Sequence, residues 1–510
     1  MSTISHEFFR QAYSVPEKIA ISCDGNQITY IVLAHQVSRL SCAMRSKGVT
    51  RGDHIGVLLP NSIEFVQLML VAADIGAVLV PFNISLPPSA VEKAFLAANI
   101  KHVVASSSVL NDLLENSISK FSSADGLWLA VGESVHEIET LEKLINGIEE
   151  DVAPSMLAMT DDPYIFTMTS GSTGNPKPII LTQRTKLNRI AAAVDMYSVN
   201  SEDKTLAATP LYHSLAERLV LMPLLTGGTS VIMSRFSSSE WLNIVAEQEV
   251  SFTIAVSSQL NQIANSLIDS NFSRIASLRC VVSSSALLDI QVKERIVTNF
   301  GCEFHECYGT SEIAIATSLN ISDYPEKLRS VGHAAAGVEI RIIGEDDRAV
   351  ATGDVGEIVC KTAMIFGGYY EQPIQTCESM WGDFFRTGDL GRLDADGFLF
   401  FLGRKKEIII TGGINVYPAD VESAIEECGL THEVAAFSIP DERLGEAVAV
   451  ALVPKSSESF NLKRIRIDCA AHLADYQLPR KWFVMDTLPK NPMGKIMRSE
   501  LQAQYRSNGL

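Results

Sequence analysis

Polar residues that could bind phosphate are concentrated in one short segment, TMTSGSTGNPKPIILT at 167–182. Glycines let backbone N–H groups approach an anion, hydroxyls can donate to phosphate oxygens, and a lysine adds positive charge. The segment is not a Walker A loop, because Asn175 and Pro176 precede Lys177 and Pro178 follows it. It predicts a phosphate site of another type, with a polar surface loop as the alternative. The candidate residues are Thr169, Ser170, Gly171, Ser172, Thr173, Gly174 and Lys177.

Six further segments of similar character follow in chain order. They read TPLYHSLA (209–216), SSSALL (283–288), ECYGTSE (306–312), RTGDLG (386–391), GRKKEIIITGGINVYPADVE (403–422) and LPKNPMGKIMR (488–498). Taken one at a time, each has an ordinary structural interpretation. RTGDLG, for example, contains the Gly and Asp residues that are typical of turns. Together with the phosphate-binding segment, and in this order, they resemble the signature segments of the adenylate-forming superfamily. That superfamily comprises acyl- and aryl-CoA synthetases, adenylation domains of peptide synthetases and beetle luciferases.

The resemblance covers nearly the whole chain, because QITYIVLA, GVTRGDHIGVLLPNS and GAVLVPFN are also similar to the family's opening segments. It departs from the family pattern at Pro178, where the family prefers glycine, and at Ser311, which replaces threonine. Proline removes one backbone N–H from the end of the phosphate-binding segment. SSSALL lacks the glycines that are common at that turn, so the floor of the acyl pocket is expected to differ.

The resemblance implies ATP, Mg²⁺ and coenzyme A as the small molecules used, together with a small carboxylic acid. By that likeness Lys495 reaches the carboxylate and the α-phosphate, and Glu312 holds Mg²⁺, a hard cation that prefers oxygen ligands. Asp389 accepts hydrogen bonds from the ribose hydroxyls. Tyr308 stacks on adenine and Arg404 contacts the ribose or the phosphates. The remaining residues implied at the nucleotide are Ser284, Gly309, Thr310 and Ser311.

A second conformation is implied for the thiol step. The small C-terminal domain of this family rotates about a hinge, and the matching position here is Lys406. The rotation removes Lys495 and brings Gly412 and Gly413 to the pocket, where they leave room for a pantetheine arm. The alternative interpretation of Gly412 and Gly413 is an ordinary hairpin turn.

His213 is the candidate closest to the acid, by its place in TPLYHSLA. Adenylation domains for α-amino acids usually carry an aspartate near here, because a buried ammonium group needs a partner. This segment has none, and Glu217 follows four residues later. The pattern favours a substrate without an α-amine, with His213 beside the carboxylate or gating the pocket. A packed histidine is the alternative, and the pocket itself is expected to be mostly apolar.

Strand and helix signals alternate through most of the chain. The run 62–77 has helical spacing and a glycine stop, whereas short apolar runs at 54–60, 78–83, 101–106, 228–233, 252–257 and 279–284 predict buried strands. This alternation predicts an α/β fold with mostly parallel sheets covered by helices. Glycine-rich short strands at 330–404 predict a β-barrel-like subdomain. We place a large N-terminal domain at 1–404 and a small mobile α+β domain at 405–510.

Composition limits the classes of function. A net charge of −18 argues against a nucleic-acid partner, which requires a basic surface. Nine cysteines without a CxxC pair favour a reduced, cytoplasmic setting. The most apolar stretch, 65–80, is too short and too polar to span a membrane. Cys302, His305 and Cys307 lack a fourth ligand at a usual spacing, so no zinc site is predicted.

These observations predict an AMP-forming acid–thiol ligase with CoA as the acceptor, acting as a monomer or a homodimer. One alternative is a ligase that loads the phosphopantetheine of a carrier protein. Another is a catalytically silent nucleotide- or acyl-binding protein on the same fold, since fold alone does not guarantee activity.

Overall fold

The computed structural model describes residues 2–115, 126–148, 152–170, 176–269, 275–286, 288–455, 460–491 and 494–508. The helices are α1 (Ile4–Ser14), α2 (Tyr30–Ser46), α3 (Ile63–Ile75), α4 (Pro88–Ala97), α5 (Ser107–Glu115), α6 (Leu141–Asn146), α7 (Gln183–Tyr197), α8 (Ser214–Thr226), α9 (Ser238–Glu247), α10 (Ser257–Asp269), α11 (Ile290–Phe300), α12 (Pro373–Glu378), α13 (Pro418–Glu426), α14 (Leu462–His472) and α15 (Arg498–Asn508).

The strands follow the same chain order. They are β1 (Ile19–Cys23), β2 (Asn26–Thr29), β3 (His54–Leu58), β4 (Val78–Pro81), β5 (His102–Ser106), β6 (Trp128–Val131), β7 (Pro163–Ser170), β8 (Pro176–Thr182), β9 (Lys204–Ala207), β10 (Thr229–Ile232), β11 (Phe252–Val256), β12 (Cys280–Ser284), β13 (Glu303–Tyr308), β14 (Thr317–Asn320), β15 (His333–Ala334), β16 (Glu339–Ile343), β17 (Gly356–Lys361), β18 (Met380–Trp381), β19 (Phe384–Leu393), β20 (Leu399–Arg404), β21 (Ile409–Thr411), β22 (Ile414–Val416), β23 (Thr431–Asp441), β24 (Gly445–Pro454) and β25 (Lys481–Val484).

Two large sheets carry the first part of the chain. One has six strands in the order β6-β5-β3-β4-β7-β8, and the other has nine in the order β15-β14-β13-β12-β11-β9-β10-β1-β2. Their central pairs are parallel, whereas β7 with β8, β1 with β2, and the β13-β14-β15 edge are antiparallel. The strands predicted from apolar runs are found in these two sheets, which confirms the α/β class.

Helix α3 shows how the sequence sets one of these elements. Ser62 caps its N-terminus by accepting a hydrogen bond from the Phe65 N–H at 3.3 Å. Gly76 ends it with φ 75°, in the left-handed region. Every residue from Phe65 to Ile75 is buried. A helix that is apolar on all sides belongs inside a protein, so α3 lies in the main core and not on its surface.

The β-rich region forms a five-stranded antiparallel sheet, β16-β17-β19-β18 with β20 paired to β19. The last sheet, β22-β21-β24-β23 with β25 paired to β24, contains only residues after Lys406. It has two apolar cores of its own, one centred on Ile409 and Val450 and the other on Phe437 and Leu501. No helix within the described ranges is both long and apolar enough to cross a bilayer.

Candidate active site

The phosphate-binding segment is a β-hairpin at one edge of the six-stranded sheet. Strands β7 and β8 pair antiparallel, with Thr169 opposite Lys177. The backbone of Thr169 and Ser170 ends β7, and their side chains are not among the described ones. The predicted residues Gly171, Ser172, Thr173 and Gly174 lie outside the described residues.

Lys177 and Glu312 are connected by a tyrosine that sequence analysis did not select. The Lys177 Nζ lies 5.8 Å from the centroid of the Tyr369 ring, within the range of a cation–π contact. The Tyr369 hydroxyl donates to Glu312 Oε1 at 3.0 Å. Tyr369 comes from FGGYY, which the sequence indicated only as part of a β-rich region.

The Glu312 carboxylate suits a magnesium ion. One oxygen accepts from Tyr369, and the carboxylate forms no ion pair with any described side chain. Mg²⁺ is commonly held by one or two carboxylates together with substrate phosphates. Glu312 is therefore the residue that would hold the ion, whose charge would offset that of the phosphates.

The turn after β13 is held by close backbone packing. A Cβ added at Gly309 would lie 1.6 Å from the Ala314 carbonyl oxygen, so only glycine fits. The buried Arg189 guanidinium donates from Nη2 to the carbonyl oxygens of Ser311 and Glu312, at 3.0 and 2.8 Å. Arg189, which sequence analysis missed, thereby positions Glu312. The Thr310 hydroxyl is buried without a hydrogen-bond partner in the described structure, as expected of a group awaiting a ligand.

Tyr308, at the end of β13, meets Asp389 of β19 and Arg404 of β20 in the β-rich sheet. The Tyr308 hydroxyl donates to Asp389 Oδ2 at 2.8 Å. Arg404 Nε lies 2.9 Å from Oδ1, but without hydrogen-bond geometry, so this buried oxygen keeps a free acceptor position. Burial raises the pKa of Asp389, and the Arg404 charge opposes that shift. A buried carboxylate that is only partly satisfied is a suitable acceptor for a polar ligand.

Lys495 reaches this cluster from the loop between β25 and α15. Its backbone N–H donates to Asn491 Oδ1 at 2.9 Å, which fixes the loop before α15. Burial and the neighbouring Arg404 lower the pKa of the Lys495 ammonium, while Glu407 and Asp389 oppose the shift. The fold thus brings Lys495 within electrostatic range of Asp389, which lies 106 positions earlier (495 − 389) in the chain.

Gly494 marks where the Lys495 loop meets the rest of the protein. A Cβ at Gly494 would lie 2.1 Å from the Ser258 Oγ, at the start of α10. Ser258 also lines a cavity of about 310 Å³ at the carboxyl ends of strands from both large sheets. Asn61, Tyr212 and Gln259 are among its other lining residues. This is the edge at which open α/β sheets bind ligands.

His213 lies beside this cavity at the N-cap of α8. Its ring centroid is 4.4 Å from that of Tyr212, a cavity residue. Burial lowers the pKa of His213 to about 4. The Nε2 atom is buried without a hydrogen-bond partner among the described residues. At neutral pH the ring is therefore uncharged and could donate or accept one hydrogen bond.

Two further predicted residues, Ser284 and Lys406, lie at a strand end and in a turn. Ser284 ends β12, and the following Ser285 has φ 87°, in the left-handed region where glycine is favoured. The strained serine stands where the family pattern has small, glycine-containing turns. Lys406 lies exposed in a 3₁₀ turn, Lys405–Glu407, between the β-rich and C-terminal sheets.

Gly412 and Gly413 form the two-residue turn between β21 and β22. The Gly412 N–H donates to the Leu444 carbonyl oxygen at 2.9 Å, within the C-terminal sheet. The structure therefore places this turn beside the loop before β24, in a conformation where Lys495 lies within electrostatic range of Asp389 and Arg404.

The chain resembles known proteins over almost its whole length. Residues 8–370 match the AMP-binding enzyme family and 420–495 match the AMP-binding enzyme C-terminal domain. It is 28% identical to the long-chain-fatty-acid–CoA ligase FadD13 of Mycobacterium tuberculosis, over 94% of this chain and 93% of that protein. It is 28% identical to indoleacetate–CoA ligase of Aromatoleum aromaticum, over 97% and 96%. ATP-bound MatB of Rhodopseudomonas palustris superposes with a TM-score of 0.88 at 25% identity, covering 99% of both chains.

Proposed function

The chain belongs to the AMP-binding enzyme family, and from that premise we propose that it is an ATP-dependent carboxylate–CoA ligase. The main observation behind this proposal is that the Lys495 ammonium lies within electrostatic range of Asp389 and Arg404. The Asp389 carboxylate lies within range of Glu312 as well. The curated relatives, named as CoA ligases, support CoA as the acceptor. MatB, solved with ATP bound, supports ATP as the nucleotide.

In the first step a carboxylate oxygen attacks the α-phosphorus of ATP, and the bond to pyrophosphate breaks. Two anions must approach each other, so catalysis consists mainly of positioning and electrostatic stabilisation. We assign Lys495 to the carboxylate and the α-phosphate, and Lys177 to the outer phosphates. Glu312 would hold Mg²⁺.

The nucleoside is assigned to the β-rich sheet. Asp389 has a free oxygen for the ribose hydroxyls and is held in place by Tyr308. The Tyr308 ring is buried beside Phe401, at 5.7 Å between centroids, and we propose that adenine lies near this pair of rings. The backbone from Ser284 and from Gly309 to Ser311 would border the base and the α-phosphate.

In the second step the CoA thiol attacks the acyl carbonyl carbon and AMP leaves. We propose that residues 405–510 form a small domain that turns about Lys406 for this step. The separate apolar cores after Lys406 support such a division, because few core contacts would have to break. The turn at Gly412 and Gly413 would then approach the thiol channel.

Product analysis tests the proposal. Purified protein is incubated with ATP, Mg²⁺, an acid panel and either CoA or a phosphopantetheinylated carrier protein, and products are identified by mass spectrometry. We expect AMP, pyrophosphate and acyl-CoA. Acylation of the carrier without formation of acyl-CoA would show that the carrier, and not CoA, is the acceptor. Bound ATP without AMP formation would indicate the silent binding protein.

Gly494→Ala tests the contact that holds Lys495 in the site. The added methyl group would clash with Ser258, so we expect the adenylation rate to fall about 10-fold, while thioester formation from preformed acyl-adenylate changes little. Gly429→Ala is the matched control, since Gly429 also has a positive φ but nothing within 4 Å of an added Cβ. Equal losses in both variants would show that backbone strain, and not the contact, is responsible.

His213 should act as a neutral group. Because the pKa of His213 is lowered to about 4, its protonation state is constant above about pH 5.5. His213→Ala should therefore reduce kcat/KM for the acid about 10-fold, by a similar factor at about pH 6 and about pH 8. Measurement of kcat/KM across this range checks the expectation. A loss that appears only on one side of pH 6.5 would mean that the ring titrates during catalysis.

A further inference from the structure

Five residues after His213, helix α8 carries a buried arginine that forms no ion pair with any described residue. Arg218 is on α8 and is 7% exposed. Its Nε has no hydrogen-bond partner among the described residues, and its guanidinium forms no ion pair with any of them. An isolated buried charge is costly, so such groups are normally paired or hydrogen-bonded.

The charges around Arg218 do not balance. Three buried cations lie together, Lys186, Arg189 and Arg218. The carboxylates that act on them are Glu217, which is buried and paired with Lys186, and Glu312. Three positive charges against two negative ones leave one positive charge (3 − 2 = 1). The Glu217 Oε2 atom is paired with Lys186, and its Oε1 atom has no hydrogen-bond partner among the described residues.

The other neighbours of Arg218 are neutral. Cys307 and Tyr197 lie within electrostatic range of the guanidinium. Burial raises the pKa of the Cys307 thiol and of the Tyr197 hydroxyl, so neither is ionised at neutral pH. The Tyr197 hydroxyl lies beside the Ser318 hydroxyl and the Cys307 thiol, which are uncharged partners. The Arg218 guanidinium therefore faces polar but neutral side chains on this side.

This face adjoins the nucleotide site. The parallel register of β12 and β13 pairs Val282 with His305, which puts Ser284 and Cys307 next to each other. Tyr308 directly follows Cys307 at the end of β13, with its side chain on the opposite side of the strand, and its hydroxyl donates to Asp389. From His213 to Arg218, five residues (218 − 213) at about 1.5 Å each, α8 advances roughly 7–8 Å.

We propose that Arg218 binds a second anionic group of the acid, so that the preferred substrate is a dicarboxylate or a similar dianion. The inference rests on the proposed adenylation, and it adds the class of acid. One carboxylate lies near His213 and Lys495 and reacts, while the other pairs with Arg218. The axial rise of roughly 7–8 Å makes straight-chain diacids of about four to eight carbon atoms the lengths to compare.

ATP–pyrophosphate exchange with matched acid pairs tests this inference. Each straight-chain dicarboxylic acid of that length is compared with the monocarboxylic acid in which a methyl group replaces the second carboxylate. We expect kcat/KM to be about 100-fold higher for the preferred diacid, and Arg218→Met to abolish that preference by a loss of about 100-fold on the diacid alone. Arg218→Lys, which keeps the charge, should restore part of the preference.

The outcomes separate the two proposals. Exchange that favours monocarboxylic acids, or an equal loss for both acids in Arg218→Met, would overturn the role of Arg218 while leaving adenylation intact. No exchange with any acid, despite ATP binding by the wild-type protein, would contradict the proposed function and with it this inference. A urea melt shows whether Arg218→Met is folded. If Arg218→Met is not folded, the role of Arg218 is tested by the diacid preference of the wild-type protein and by that of the Arg218→Lys variant.

Discussion

Replacement of Lys495 by alanine is expected to reduce acyl-adenylate formation by a factor on the order of 10²–10³. Lys495 is the cation that the loop before α15 brings within electrostatic range of Asp389 and Arg404, in a half-buried position where desolvation lowers its pKa. A charge held in place by the fold stabilises the negative charge that develops on the phosphate, without reorganisation during the reaction. The measurement is the single-turnover rate of adenylate formation.

The thiol step provides an internal comparison. If the small domain turns away after adenylation, Lys495→Ala should leave thioester formation from preformed acyl-adenylate nearly unchanged. Lys490→Ala is a matched control in the same segment, since Lys490 is paired with Glu433 on the surface of the C-terminal sheet. Similar losses in Lys490→Ala, or an adenylation rate unchanged in Lys495→Ala, would remove Lys495 from the chemistry.

Asp389→Asn is expected to raise the KM for ATP by about 10- to 100-fold, because a charged acceptor at the ribose becomes a neutral one. The same substitution should leave the free energy of unfolding unchanged or raise it. Burial raises the pKa of Asp389. A carboxyl group with a raised folded-state pKa loses stabilising free energy as the pH rises through that pKa, so at pH 7 the ionised form is a cost.

The free energy of unfolding of Asp389→Asn at neutral pH should therefore be equal to or greater than that of the wild-type protein. Urea titration measures it, and steady-state kinetics measures the KM for ATP. Asp383→Asn, on the surface beside Lys361, controls for loss of a carboxylate elsewhere. A less stable Asp389→Asn protein with an unchanged KM for ATP would make Asp389 a structural residue only.

Continuous apolar runs made the strands of the two large sheets predictable. Runs such as FTIAV of β11 are buried at every position, and a short run of this kind is typical of a central parallel strand. Alternation of such runs with helices fixed the fold class. The proximity of residues distant in the chain, such as Lys495 and Asp389, could be predicted only from the family resemblance, because no local sequence pattern indicates it.

Buried charge was the feature least visible in the sequence. In LAERLVL of α8, adjacent Glu217 and Arg218 look like a solvated helix face, and the acyl pocket was expected to be mostly apolar. In the structure both residues are buried, and of the two only Glu217 forms an ion pair, with Lys186. Arg189 and Tyr369, which position Glu312, lie outside the signature segments for the same reason: their roles depend on partners that are distant in the chain.

The proposed function requires that this protein activate a carboxylic acid as its adenylate. The decisive experiment is carboxylate-dependent exchange of labelled pyrophosphate into ATP, measured without CoA across aliphatic, aromatic, amino and dicarboxylic acids. We predict exchange with one class of acid. ATP binding by the wild-type protein without exchange for any acid would contradict the account.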